Sequence, residues 1–243
     1  MIRSSRVLLP VVLIAPLLLA PLLLAACGTE TSDLPPGLGP IALADVALPA
    51  DCANATGVGA LNIGPARGVL GNPSYTERKA RGCVPFSVAK VWQAIQVPTG
   101  VDVAFWPERN ESDCEAWLLV DPAYPVNFIT KEIPHGGIQS HYTFEITWRA
   151  GITKGPDSAP TEVKMLYGKT SGTSEVPKIL GSMVFTADAA HPNWTTVDIV
   201  RQLNTNGHSD DPAKLESWIQ GFYDGLQIQL ATGALLPRYC VLP

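Results

Sequence analysis

The residues of this chain with the most chemistry to offer are its five cysteines and four histidines. Cys52, Cys83, Cys114 and Cys240 form an even set with no C-x-x-C pair among them. That spacing gives no support to a zinc site or a redox dithiol, and in an exported chain it reads as two disulfides. Cys27 differs, because it closes a run of apolar and small residues, where a thiol suits covalent modification. His135, His141, His191 and His208 each sit among Pro, Gly, Asn or Ser. None of them pairs with another at metal-ligand spacing. His135 and His141 could meet across Gly136-Gly137, but exposed loop histidines look the same, and no metal or other cofactor is assigned. The G-x-S-x-G, H-E-x-x-H and G-x-x-x-x-G-K patterns do not occur.

Asp102, Glu145, Glu162 and Asp198 lie in strand-like segments. One of these carboxyls turned into an apolar interior would have a raised pKa fit for acid–base work. Glu145 and Asp198 sit opposite the better apolar faces, however, so they read as solvent-facing, and no catalytic set is named. The large rings of Phe105, Trp106, Trp117, Phe144, Trp148, Phe185, Trp218 and Phe222 line a cavity or simply fill a core, and sequence does not separate the two.

Around Cys27 the reading is sharper. Arg3 and Arg6 precede an apolar run from Val7 to Leu24, which Pro10, Pro16 and Pro21 interrupt. This is the layout of an export signal rather than a membrane span. Leu24-Ala25-Ala26-Cys27 resembles the bacterial lipobox. The resemblance implies removal of residues 1–26 as a lipoprotein signal peptide and acylation of Cys27, with chains such as palmitate contributing ~0.8 kcal/mol per buried methylene. The expected location is the cell envelope, lipid-anchored and extracytoplasmic. Gly28 stands where an inner-membrane retention aspartate would, so the outer membrane is favoured if two membranes are present. A secretory signal with an incidental cysteine agrees less well with the spacing. The chain has 17 Lys and Arg against 22 Asp and Glu. Without Arg3 and Arg6 the balance is 15 − 22 = −7, which argues against a nucleic-acid partner.

Residues 27–49, rich in Pro, Gly, Ser and Thr, read as a flexible tether, and 50–73 as an irregular N-terminal extension. The compact domain is expected over 74–243. Tyr75 to Val84 reads as a first strand, and Ser87 as the N-cap of a helix through Gln96 with Val88, Val91, Trp92 and Ile95 on one face. Strand-like runs follow at 101–106, 116–120, 126–133, 141–153, 162–167, 179–186 and 195–203. With no helix between them they predict an antiparallel meander. Tyr142, Phe144, Ile146 and Trp148 share the buried face of one strand, and Val197, Ile199 and Arg201 share a face of another. Asp211 and Pro212 open a closing helix whose stripe is Leu215, Trp218, Ile219, Phe222, Leu226 and Leu230.

This element order resembles that of the START-related, helix-grip (SRPBCC) superfamily, which includes polyketide cyclases and the birch-pollen-allergen family. Phe86-Ser87-Val88-Ala89-Lys90-Val91-Trp92-Gln93-Ala94-Ile95 looks like its first helix. Gly172-Thr173-Ser174, Ile179-Leu180-Gly181-Ser182 and Trp194-Thr195-Thr196-Val197 resemble its late strands and turns, and Leu215 to Leu226 its closing helix. The likeness covers about 75–230, and the second small helix of the family has little room between Gln96 and Val101. It implies an α+β helix-grip fold, a curved antiparallel sheet of about seven strands wrapped around a long C-terminal helix.

The same resemblance implies a cavity for a lipid, polyketide, sterol or similar molecule, with Trp148, Trp218, Phe222 and Leu226 as lining candidates. It would also bring Cys83 to Cys240 and, by exclusion, Cys52 to Cys114, one of the three pairings that four cysteines allow. The leading expectation is therefore a membrane-tethered domain that binds a hydrophobic ligand without covalent chemistry. A cyclase-like enzyme would instead need a buried ionisable group. A solid-core interaction module would show a collapsed interior and an exposed apolar patch elsewhere.

Overall fold

Ser87 breaks the chain sharply between its first long strand and first helix, because its hydroxyl accepts from the Lys90 N–H at 3.4 Å and so satisfies an end donor of the helix. The structure is a computed structural model that describes residues 45–96, 112–118, 126–134, 143–206 and 211–233. In chain order the elements are α1 (Ala50–Ala53), β1 (Ala60–Ile63), β2 (Arg67–Val69), β3 (Tyr75–Val84), α2 (Val88–Ile95), β4 (Ser112–Leu118), β5 (Val126–Pro134), β6 (Phe144–Lys154), β7 (Glu162–Gly172), β8 (Lys178–Ala187), β9 (Thr195–Asn204) and α3 (Asp211–Thr232).

β4 to β9 form a meander in which each strand pairs antiparallel with the next, and β9 then pairs with β3, so the first long strand lies beside the last. The result is a curved sheet of order β1-β3-β9-β8-β7-β6-β5-β4, with β2 also on β3. Register shifts between Glu145 and Ile146 and between Ile152 and Lys154 interrupt the β6–β7 ladder; such bulges increase strand twist and bend. The turn between these strands needs Gly155, whose φ of +85 disfavours a side chain. The expected strand near 101–106 lies outside the described residues.

α3 buries Leu215, Ile219, Phe222, Leu226 and Leu230 as the sequence stripe predicts, with Trp218 half-buried beside them. It packs against β3, β9, β1 and α2. Asp211, expected as its N-cap, is its first residue, and its carboxylate accepts from the Thr205 N–H at 3.2 Å and from the Thr205 hydroxyl, tying the helix to the end of β9. Further along, the Tyr223 hydroxyl donates to the Cys83 carbonyl at 2.6 Å. Arg78 donates to the Pro212 carbonyl at 2.9 Å and pairs with Glu216 at 2.8 Å. One apolar cluster, including Val88, Val91, Ile146, Met165, Phe185, Ile199 and the α3 stripe, lies among sheet, α2 and α3. Among the described residues no helix is long and apolar enough to cross a membrane.

Two expectations need correction. Residues 50–73 are not irregular: α1 lies there, and β1 and β2 extend the sheet along β3. The disulfide joins Cys52 to Cys83, rather than Cys83 to Cys240 and Cys52 to Cys114. The reason is β1. It sets Ala60 opposite Cys83, and the Cys52 sulfur lies 3.5 Å from the Ala60 carbonyl, so α1 folds back onto the end of β3 with the two Cα atoms 5.5 Å apart. Cys240 lies outside the described residues, as does the side chain of Cys114 in β4.

Candidate ligand site between sheet and helix

Directly opposed residues of adjacent antiparallel strands share a face. One such row runs across the sheet through Trp148 of β6, Tyr167 of β7, Gly181 of β8, Arg201 of β9 and Arg78 of β3. Arg78 reaches the start of α3, so this is the face that α3 covers. Trp148, Tyr167 and Arg201 are 1%, 0% and 2% exposed. Trp148 and Tyr167 stack, with ring centroids 4.6 Å apart and planes at 29°. Gly181 leaves room for Tyr167 to lie across β8, since a methyl group there would overlap the tyrosine hydroxyl. The guanidinium of Arg201 then sits 5.4 Å from the Tyr167 ring and 4.9 Å from the Trp218 ring of α3. Both distances suit cation–π attraction.

Burial pushes the Tyr167 phenol up to about 12, against the opposing pull of the Arg201 charge and hydrogen bond. Burial also lowers Arg201 to about 10, with Tyr167 acting in the opposite direction. At neutral pH the arginine is therefore charged and the tyrosine keeps its proton. Each is a hydrogen-bond donor and neither is a base.

Of the lining candidates, Trp148 and Trp218 approach the same Tyr167–Arg201 pair, while Phe222 and Leu226 belong to the apolar cluster beneath α3. Phe144 and Phe185 are core residues. The carboxylates are placed elsewhere. Glu162 is held by Lys154 at 2.6 Å and Thr153 at 2.8 Å. Asp198, expected to face solvent, is instead buried and pairs with Arg81 at 3.3 Å, and Glu145 accepts from Ser171 at 2.7 Å. His191 lies in the β8–β9 turn, 3.0 Å from Asp188, whose carboxyl this contact holds below its usual range. Among the described residues no three His, Cys, Asp or Glu gather as a metal site. Cys27, Asp102, Phe105, Trp106, His135, His141 and His208 lie outside the described residues, and so does the side chain of Trp117.

Sequence reasoning missed Tyr167 and Arg201 as site residues. The available signal was the strand alternation that puts Arg201 on the face of Val197 and Ile199. A hollow of about 590 Å³ opens beside α2, bounded by Trp92, Gln93, Gln96, Ile152 and Asp157. Trp92 forms its inner wall and also belongs to the apolar cluster.

In class, the chain is an α+β protein whose curved antiparallel sheet and C-terminal helix enclose an aromatic and arginine-bearing interior. No protein-family model matches its sequence, and no curated protein does. Among solved structures it is similar to a protein of Thermus thermophilus, at 9% identity over 65% of this chain and 99% of that one, with a TM-score of 0.47. It is similar to Ara h 8.0201 at 12% identity over 64% and 97%, TM-score 0.41. The Zhui aromatase/cyclase from Streptomyces sp. R1128 gives 12% identity over 64% and 93%, TM-score 0.43.

Proposed function

We propose that the protein is a membrane-tethered, extracytoplasmic domain, anchored through Cys27, that holds a hydrophobic small molecule or lipid between its sheet and α3. The observation that carries this reading is the Arg201 guanidinium, 2% exposed, set between the Trp218 ring and the Tyr167 ring, which itself stacks on Trp148. Stability alone does not call for it, because apolar replacement of a buried ion is often neutral or stabilising. Apolar and aromatic walls with a few placed polar groups are the composition of a small-molecule site. Binding would strip water from the apolar body of the ligand while Arg201 and Tyr167 face its hydrogen-bond acceptor.

The test is native mass spectrometry of the mature protein, followed by organic extraction. A discrete bound mass that extracts as lipid is expected, with less retained in Trp218→Ala. A clean apo mass with no uptake on lipid challenge overturns the reading. Equal retention in Trp218→Ala removes Trp218 from the site.

The same pair of donors favours one second reading, a cyclase-like enzyme. Two fixed donors could stabilise charge developing on a substrate carbonyl oxygen. Turnover of a poly-β-keto substrate that Arg201→Leu abolishes is the result that reading requires.

A further inference from the structure

The buried stripe of α3 carries an amide at its far end. Gln229 follows Phe222 and Leu226 at i+7 and i+3 and is 7% exposed. Its Nε2 donates to the Ala94 carbonyl of α2 at 3.1 Å. That carbonyl lies in the last turn of α2, and its helical partner would be the N–H of residue 98, which is proline and has none. Gln229 thus caps α2, and the cap fixes the orientation of the amide: reversed, Oε1 would face another acceptor. In the fixed orientation Oε1 is buried and accepts no hydrogen bond among the described residues. A lone buried acceptor costs ~1–3 kcal/mol, and native proteins rarely tolerate one without a use.

We infer that Gln229 Oε1 receives a hydroxyl of the bound molecule, so that the ligand is a long apolar alcohol rather than a hydrocarbon. This rests on the ligand site proposed above and names its chemistry. The amide oxygen only accepts, so an ionised carboxylate or an ether gains nothing there, whereas an alcohol supplies the missing donor. Trp218 and Gln229 are eleven residues apart on α3, about 16 Å at 1.5 Å rise per residue. An alcohol held at Gln229 therefore does not compete for Arg201, and an acceptor group at the other end of a long molecule would meet it.

The experiment is displacement of the neutral dye N-phenyl-naphthylamine from the full mature protein by dodecanol and by dodecyl methyl ether, which accepts but does not donate. With the wild type the alcohol should displace the dye about tenfold more effectively than the ether, a difference set by one buried hydrogen bond. In Gln229→Met, which keeps the length and loses the acceptor, that preference should collapse toward unity. Equal displacement by alcohol and ether in the wild type overturns the inference without recourse to the variant, and so does an unchanged preference in Gln229→Met. If neither dye nor extracted lipid binds the wild type, the ligand site itself fails and the inference falls with it; dye binding without alcohol preference sinks the inference alone.

Discussion

Replacing Gly181 with alanine probes the contact on which the interior row depends. The added methyl would overlap the Tyr167 hydroxyl. A flexible side chain would swing aside, but Tyr167 is fully buried, stacked on Trp148 at 4.6 Å and neighboured by Arg201. Overpacking at such a site costs ~1–3 kcal/mol, and disturbing the aromatic stack adds ~0.5–1.5 kcal/mol. Gly181→Ala should therefore lose about 3 kcal/mol, a fall of roughly 6–12 °C in Tm for a chain of this size. Without the tyrosine the sign changes, because alanine is favoured over glycine in a strand by ~0.5–1 kcal/mol. Urea unfolding, followed by tryptophan fluorescence, of Gly181→Ala, Tyr167→Leu and the double variant closes the cycle. The double variant should be more stable than the two single losses sum to by well over 1 kcal/mol. Additivity within ~0.5 kcal/mol would refute the placement of Tyr167 over β8.

Two further outcomes follow from the same structure. Cys52→Ala/Cys83→Ala opens a loop of sequence separation 31 and should lower stability by about 3–4 kcal/mol in urea unfolding; an equal midpoint with and without reductant in the wild type would argue that the bridge is absent. Burial alone would raise the Glu162 pKa, but hydrogen bonds from Lys154 and Thr153 and the charges of Lys154 and Lys164 hold it below its usual range. A carboxyl depressed in the folded state contributes stability above its unfolded pKa and loses it as pH falls through the folded one. Glu162→Gln should therefore unfold with a shallower acid limb, and an identical limb would show that the cluster contributes nothing.

The parts of the fold that were legible in the sequence are those in which local chemistry and burial agree. β3 and α2 begin and end where Pro85 and Ser87 require, and the α3 stripe is buried on the side its periodicity indicates. β1 and β2, of four and three residues, are too short to display a period of two and exist through pairing with β3. Missing them misplaced Cys52 and hence the disulfide. The site was half legible. Trp148 and Trp218 announce themselves as large rings on apolar faces, but an arginine alternating with valine and isoleucine is ordinarily taken for a solvated residue near a strand end. Only the register, which sets Gly181 between Tyr167 and Arg201, shows why a guanidinium is turned inward there.

The Cys52–Cys83 bridge also decides how the domain would bear mechanical load. An anchor at Cys27 would deliver every tug of the membrane through the residues ahead of Cys52. There the traction crosses covalently to Cys83, near the end of β3. β1, β2 and β3 as far as Gly82 lie within the closed loop, off the covalent path of the force. The load enters β3, one strand in from the rim of the sheet, at Cys83, which pairs with Thr196 of β9.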